Sequence, residues 1–238
     1  MSGLDMVSLF ESESETVYED IHLLPQDLTI TVQKIDEYPG ASQSGYHLWP
    51  GANQLTQYLC KNWSTLSTSR VCEMGCGCGL ATLGVAALGA VDNSCEFMLA
   101  TDGDQKILDK VLESAKYTTN ETGTALLPIE TCRMKWGEDL EQLQEMGYAN
   151  TFNLVIGSDL IYSDGLIEPL LQTVFQLLNK DDENACFLLC YSFTGYVEEA
   201  VKVSEDMNLN LEILMDTIQD GGYSAQSTGT RIERYTRR

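Results

Sequence analysis

The chain has 238 residues, 43% of them hydrophobic, and carries 36 acidic against 14 basic side chains for a formal charge of −22. That length suits one large domain with a full core, and the composition excludes a repeat or low-complexity protein. The charge makes a polyphosphate backbone a poor ligand, so nucleic acid is not an expected partner; it would steer in a lysine-rich protein surface, or serve only to keep the chain in solution.

No apolar run approaches the roughly 18 to 20 residues that cross a bilayer, and the N-terminus is acidic where a signal peptide is basic. The expectation is a monomer of the cytoplasm, with the nucleus as second choice and no membrane contact. Cysteines at 60, 72, 76, 78, 95, 132, 186 and 190 lie in apolar segments of a chain too large to need stapling, so they read as reduced, buried thiols. The C-x-C at Cys76 and Cys78 is tighter than the usual C-x-x-C of zinc sites, and His22 and His47 are remote in sequence, so no metal is expected.

In chain order, residues 1–27 are polar and acidic and predict a loosely docked arm. Residues 28–34 alternate apolar and polar positions with β-branched side chains, which predicts a strand in a small N-terminal hairpin. An aromatic and glycine-rich segment, Ser44-Gly-Tyr-His-Leu-Trp-Pro-Gly-Ala52, follows. It is either a loop that closes over a cofactor or a Pro-Gly turn leading into a helix. Helical spacing then runs through Leu55, Tyr58 and Leu59.

From there strands are predicted at 71–73, 97–101, 130–135, 152–157, 186–191, 209–214 and 231–235, with helices near 80–89, 105–117, 138–146, 165–179 and 195–207. This alternation predicts an α/β fold: a Rossmann-like, doubly wound, mainly parallel seven-stranded sheet with helices on both faces and a small N-terminal β extension. The domain is expected to cover 28–238. Ligands of such sheets bind beyond the C-terminal strand ends, so the residues there carry the functional reading.

After the first of these strands stands Glu73-Met-Gly-Cys-Gly-Cys-Gly79. Alternate glycines let the backbone turn sharply and approach a ligand without Cβ interference. The dinucleotide pattern G-x-G-x-x-G fails, because its last position falls on Leu80 or on Thr82. An acid at Glu73 repels phosphate but suits a cationic ligand, such as the sulfonium and amino group of S-adenosylmethionine (AdoMet). After the second strand comes Thr101-Asp-Gly-Asp104. Asp102, 25 residues beyond Gly77, is placed to accept hydrogen bonds from a ribose. Its competing role is a helix N-cap, which Asp104 fills better.

Trp136 after the third strand either flanks an adenine or closes the core. After the fourth, the polar run Ser158-Asp-Leu-Ile-Tyr162 terminates an apolar strand. Asp159 and Tyr162 there either face a ligand or cap the next helix.

Together, E-M-G-C-G-C-G, T-D-G, K-W-G at 135–137, S-D-L-I-Y and S-G-Y-H-L-W-P-G-A resemble the seven-β-strand AdoMet-dependent methyltransferases. Within them the chain is similar to the family 16 protein methyltransferases, which mostly modify lysines on translation factors, chaperones and calmodulin. The resemblance covers 28–238. It implies that Glu73, Gly75, Gly77 and Gly79 line the methionine and ribose of AdoMet, with Ser158 on the same side. Asp102 would hold the ribose, Trp136 the adenine, and Trp49 would lie against the cofactor. Asp159 and Tyr162, matching a D-x-x-Y element, would shape the acceptor channel as catalytic residues, with Asp159 orienting the substrate ammonium or a backbone group.

Two departures stand out: Cys76 and Cys78 replace the usual small residues, and Met134 replaces an aspartate before Trp136. The implied function is methylation of a protein lysine on a basic substrate such as a translation factor or ribosomal protein, leaving S-adenosylhomocysteine (AdoHcy). Methylation of a small molecule or of protein histidine, and a non-catalytic adaptor, are the other readings. Base methylation is disfavoured because S-D-L-I-Y lacks the N-P-P-Y or D-P-P-Y form.

Overall fold

The computed structural model describes residues 16–25, 27–35, 41–120, 125–138, 140–163, 165–192, 197–217 and 229–238. Strands β1 (Thr16–Leu23) and β2 (Leu28–Ile35) form an antiparallel hairpin. A 3-10 helix (Ala41–Tyr46) leads into α1 (Pro50–Asn62). Then follow β3 (Arg70–Glu73), α2 (Leu80–Asp92), β4 (Phe97–Asp102), α3 (Gln105–Ser114) and the short β5 (Thr119–Asn120). The chain continues through β6 (Ile129–Arg133), α4 (Leu140–Glu145), β7 (Leu154–Ser158), α5 (Ile167–Leu177), β8 (Cys186–Tyr191), α6 (Val197–Asp206), β9 (Leu209–Asp216) and β10 (Arg231–Arg237).

Seven strands make one sheet in the order β6-β4-β3-β7-β8-β10-β9. The first five run parallel, and β10 is antiparallel to both its neighbours. The chain winds outward from β3 to β4 and β6, then returns to the other side of β3 as β7. The C-terminal ends of β3, β4 and β7 therefore face the crevice where strand order reverses, the place such sheets offer a ligand.

Alternation along the strands divides the core between the two faces. Val71, Met98, Leu154, Ile156 and Leu188 pack with α1 and α2, while Cys72, Leu99, Val155, Phe187 and Leu189 pack with α4, α5 and α6. Helix α2 is buried from Leu80 through Gly89 because β1, β2 and β5 form a second, three-stranded sheet that packs over it. This accounts for the apolar run L-A-T-L-G-V-A-A-L-G, since a helix covered on both sides has no face left for polar residues. Close approach is needed too: a Cβ on Gly84 would lie 2.6 Å from Cγ2 of Thr56 on α1.

The expected arm at 1–27 needs correction from Thr16 onward, where the chain is strand β1 rather than a loose segment; residues 1–15 lie outside the described residues. Val17, Ile21 and Leu23 supply the inward period of two, and Glu19 interrupts it. That acid is paired with Lys34 of β2 at 2.5 Å, so acidic composition masked a strand. None of the eight cysteines is in a disulfide and all are buried. Among the described residues no helix is long and apolar enough to cross a membrane.

Candidate functional site

The turn between β3 and α2 is built on three glycines with positive φ, at 57° for Gly75, 50° for Gly77 and 78° for Gly79. This left-handed backbone disfavours side chains with a Cβ. Space is equally restrictive. A Cβ on Gly75 would lie 2.7 Å from Cδ2 of Leu160 and 3.4 Å from Cζ2 of Trp136, and one on Gly77 would lie 3.2 Å from the carbonyl oxygen of Gly45. The turn is pinned to the sheet by the Cys76 amide donating to the Thr101 carbonyl at 2.8 Å.

Asp102 at the end of β4 holds the same turn. Its Oδ2 accepts from the Gly77 amide at 3.2 Å and its Oδ1 from the Asp104 amide at 3.0 Å. Asp104 in turn caps α3, accepting from the Lys106 amide at 2.9 Å. The capping role thus belongs to Asp104, and Asp102 keeps lone pairs for a ligand. Burial raises the Asp102 carboxyl above its usual range.

Glu73 closes β3 with 1% of its surface exposed. The Thr82 hydroxyl of α2 donates to it. Burial pushes its carboxyl up to about 8, Thr82 acts in the opposite direction, and the Asp102 charge adds to the rise. Next to it, Cys78 is pushed to about 12 and Cys76 also rises, both by burial, so these thiols serve as small neutral packing groups.

Segment 44–49 lies directly on the glycine turn. The Cys78 thiol donates to the Tyr46 carbonyl at 3.3 Å, and Trp49 Nε1 donates to the Ser44 carbonyl at 3.0 Å. The His47 and Trp49 rings meet edge to face at 5.1 Å. The tyrosine ring of Tyr46 lies 4.8 Å from the Lys110 ammonium. The segment contacts the glycine turn through Tyr46, and its Pro-Gly pair opens α1.

Trp136 is half-buried beside Gly75. Ser158 ends β7, and Asp159 follows in the left-handed region at φ 51°. The Asp159 carboxylate accepts three hydrogen bonds: Oδ2 from the Gly51 amide at 2.8 Å, Oδ1 from the Ser192 amide at 2.6 Å, and Oδ2 from the Ser192 hydroxyl at 2.7 Å. It does not cap α5, whose N-cap is Leu166. Of its expected partners, a backbone group is found. Tyr162, on the loop after β7, is 70% exposed.

Glu73, the three glycines, Asp102, Trp136, Ser158, Asp159 and Tyr162 therefore gather at one edge of the sheet, and Trp49 is tied to Ser44 in the segment that touches the glycine turn. Sequence reasoning passed over Ser192 and Gly51. The signal was available: Ser192 follows β8 directly, at a strand end on the same edge.

Residues 29–200 match the family described as Lysine methyltransferase. The chain belongs to that family. Among relatives, a protein-lysine N-methyltransferase, EFM3 of Chaetomium thermophilum, is 27% identical over 57% of this chain and 39% of its own length. Protein N-lysine methyltransferase METTL21A of Xenopus tropicalis is 28% identical over 56% of this chain and 55% of its own. The chain spans about half the length of the curated relatives it matches. In fold it is similar to the precorrin-6y C5,15-methyltransferase of Geobacter metallireducens, with a TM-score of 0.53 at 13% identity, covering 78% of this chain and 89% of that one. The fold of this chain is thus a Rossmann-like sheet, with the glycine turn after its central strand β3.

Proposed function

We propose that this protein is an AdoMet-dependent methyltransferase that modifies a lysine side chain of a protein substrate. The observation that carries the reading is the glycine turn, where side chains would fill the space beside Leu160, Trp136 and Gly45, held by a carboxylate that keeps acceptor capacity. The residues present fit AdoMet. Asp102 has a lone pair left on each oxygen for the two ribose hydroxyls. Trp136 offers an aromatic surface next to Gly75, and Glu73 offers a carboxyl whose ionised form a neighbouring cation favours. Gly75, Gly77 and Gly79 admit close backbone approach, and we assign Trp49, in the segment that touches the turn, and Ser158, at the end of β7, to the same cofactor. When bound, AdoMet supplies a methyl group on a sulfonium, open to in-line displacement.

The task left to the chain is alignment and exclusion of water. A lysine ammonium must lose its proton, and lowering its pKa from about 10.4 to about 8 corresponds to roughly 3 kcal/mol. Tyr162 at the exposed rim is the side chain we assign to the incoming amine. Asp159, already holding three internal donors, acts on the loop that carries Tyr162.

Lysine is favoured over histidine or a small molecule by the family and by the lysine specificity in the names of EFM3 and METTL21A. A formal charge of −22 favours a basic protein surface, such as a translation factor or ribosomal protein, over nucleic acid. Reduced thiols support the cytoplasm or nucleus, and we assign the working form as a monomer with its domain beginning at β1. The test is incubation with methyl-labelled AdoMet and an extract from cells lacking this protein. A labelled protein band supports the reading. No labelled protein, with label instead in small molecules, overturns it.

A further inference from the structure

Helix α1 begins without a cap of its own. Pro50 opens it, and Trp49 at the N-cap position makes no side-chain cap. The missing acceptor comes from Asp159, 108 residues away, through the Gly51 amide. Glycine is required at that contact, because a Cβ on residue 51 would lie 2.5 Å from Asp159 Oδ2 and 2.9 Å from Oδ1. On the other side, Ser192 binds both carboxylate oxygens, with its amide on Oδ1 and its hydroxyl on Oδ2. The Asp159 amide itself donates to Cys190 on β8 at 2.9 Å.

These contacts over-determine one residue. Asp159 sits in a backbone region that side chains seldom adopt, and such conformations persist where the surroundings fix them. The loop that starts there places Leu160 against Gly75 and Gly157 and leaves Tyr162 at the rim. The other end of the clamp is the start of α1, directly after the segment lying on the glycine turn.

We propose that Ser192 is a positioning residue for methyl transfer. Its amide and hydroxyl hold the Asp159 carboxylate turned towards Gly51, which fixes the loop carrying Tyr162 relative to the cofactor turn, while Ser192 itself touches neither acceptor nor cofactor. The proposal rests on the methyltransferase reading above. It also gives Asp159 an internal role: its acceptor capacity goes to Gly51 and Ser192 before any substrate ammonium arrives. Transfer depends steeply on alignment of the reacting atoms, so loosening this clamp lowers turnover more than it lowers cofactor affinity.

The experiment compares the full chain with Ser192→Ala, Ser192→Thr and Gly51→Ala. Three quantities are measured: label transfer from methyl-labelled AdoMet to extract proteins at saturating AdoMet, AdoHcy affinity by titration calorimetry, and hydrogen exchange of the Gly51 amide by NMR. Ser192→Ala is expected to slow transfer about tenfold and speed Gly51 exchange about tenfold, with AdoHcy affinity within about twofold of the parent, and Ser192→Thr restores transfer and exchange.

Wild-type transfer by Ser192→Ala, or a Thr variant as slow as the Ala variant, overturns the proposal. So does a loss of AdoHcy affinity equal to the loss of rate. If the parent binds AdoHcy yet labels nothing, the methyltransferase reading fails. The Gly51 amide then decides the clamp alone, and unchanged exchange in Ser192→Ala refutes it. Should Ser192→Ala not fold, Gly51→Ala presses on the same carboxylate from the opposite side and must show the same split between rate and affinity.

Discussion

The carboxylate of Asp159 accepts the amide hydrogen of Gly51 at 2.8 Å, joining the end of β7 to the start of α1. Together with the two bonds from Ser192, this contact makes Asp159 a structural junction at the C-terminal edge of the parallel strands. Asp159→Ala leaves three donors without their acceptor, and such groups cost about 1–3 kcal/mol each when left unsatisfied. Because water reaches part of the site, the expected loss is about 2–4 kcal/mol. A urea titration should show a lower midpoint with an unchanged slope. Asp159→Asn keeps one acceptor oxygen and should fall between the variant and the parent.

Glu73 gives the stability a definite pH dependence. Its carboxyl ionises near 8 in the fold against an ordinary 4.5, chiefly through burial, so the folded chain holds a proton that the unfolded chain has released. This contribution is full below about 4.5 and is lost as pH rises through about 8. Subtracting the melting temperature of Glu73→Gln from that of the parent should give a difference that declines across that window. A flat difference would contradict the assignment. AdoMet should also bind more tightly to the parent as pH rises towards 8, whereas Glu73→Gln should lack this trend.

Gly75 and Gly77 test the cofactor turn directly. Alanine at Gly75 meets Leu160 at 2.7 Å, and at Gly77 it meets the Gly45 carbonyl at 3.2 Å, in both cases with positive φ. Each substitution is expected to destabilise the fold by about 1–2 kcal/mol. AdoHcy affinity should fall at least tenfold in calorimetry. Affinity equal to the parent would place the cofactor elsewhere.

Tyr162 should behave in the opposite way. At 70% exposure its hydroxyl contributes little to stability, so Tyr162→Phe should melt within about 0.5 kcal/mol of the parent. Turnover should fall about tenfold or more while AdoHcy affinity stays within about twofold, because a lost hydroxyl at the acceptor removes alignment and leaves cofactor binding in place. Equal losses in both would put Tyr162 in the cofactor pocket.

The parallel sheet was legible because its strands are buried on both faces and read as short apolar runs. Cys186–Tyr191 is the clearest case, with every residue buried and its limits as the sequence predicts. β1 was not legible, since one face of it meets water and Glu19 breaks the other. The candidate site at the strand ends was legible from Glu73, the glycines and Asp102, whose residue types are unusual after apolar strands. The partners of Asp159 did not. A hydrogen bond spanning 108 residues leaves no local pattern, and Gly51 looked like part of a Pro-Gly turn, although it is glycine because a carboxylate lies against it.

The central claim, transfer of a methyl group to a protein lysine, is tested most directly by hydrolysing the protein labelled from methyl-labelled AdoMet and separating its amino acids. The account predicts that the label runs with methylated lysine and vanishes from the hydrolysate when the enzyme carries Asp102→Ala. Label running with methylhistidine or methylarginine, or label undiminished by Asp102→Ala, would contradict it.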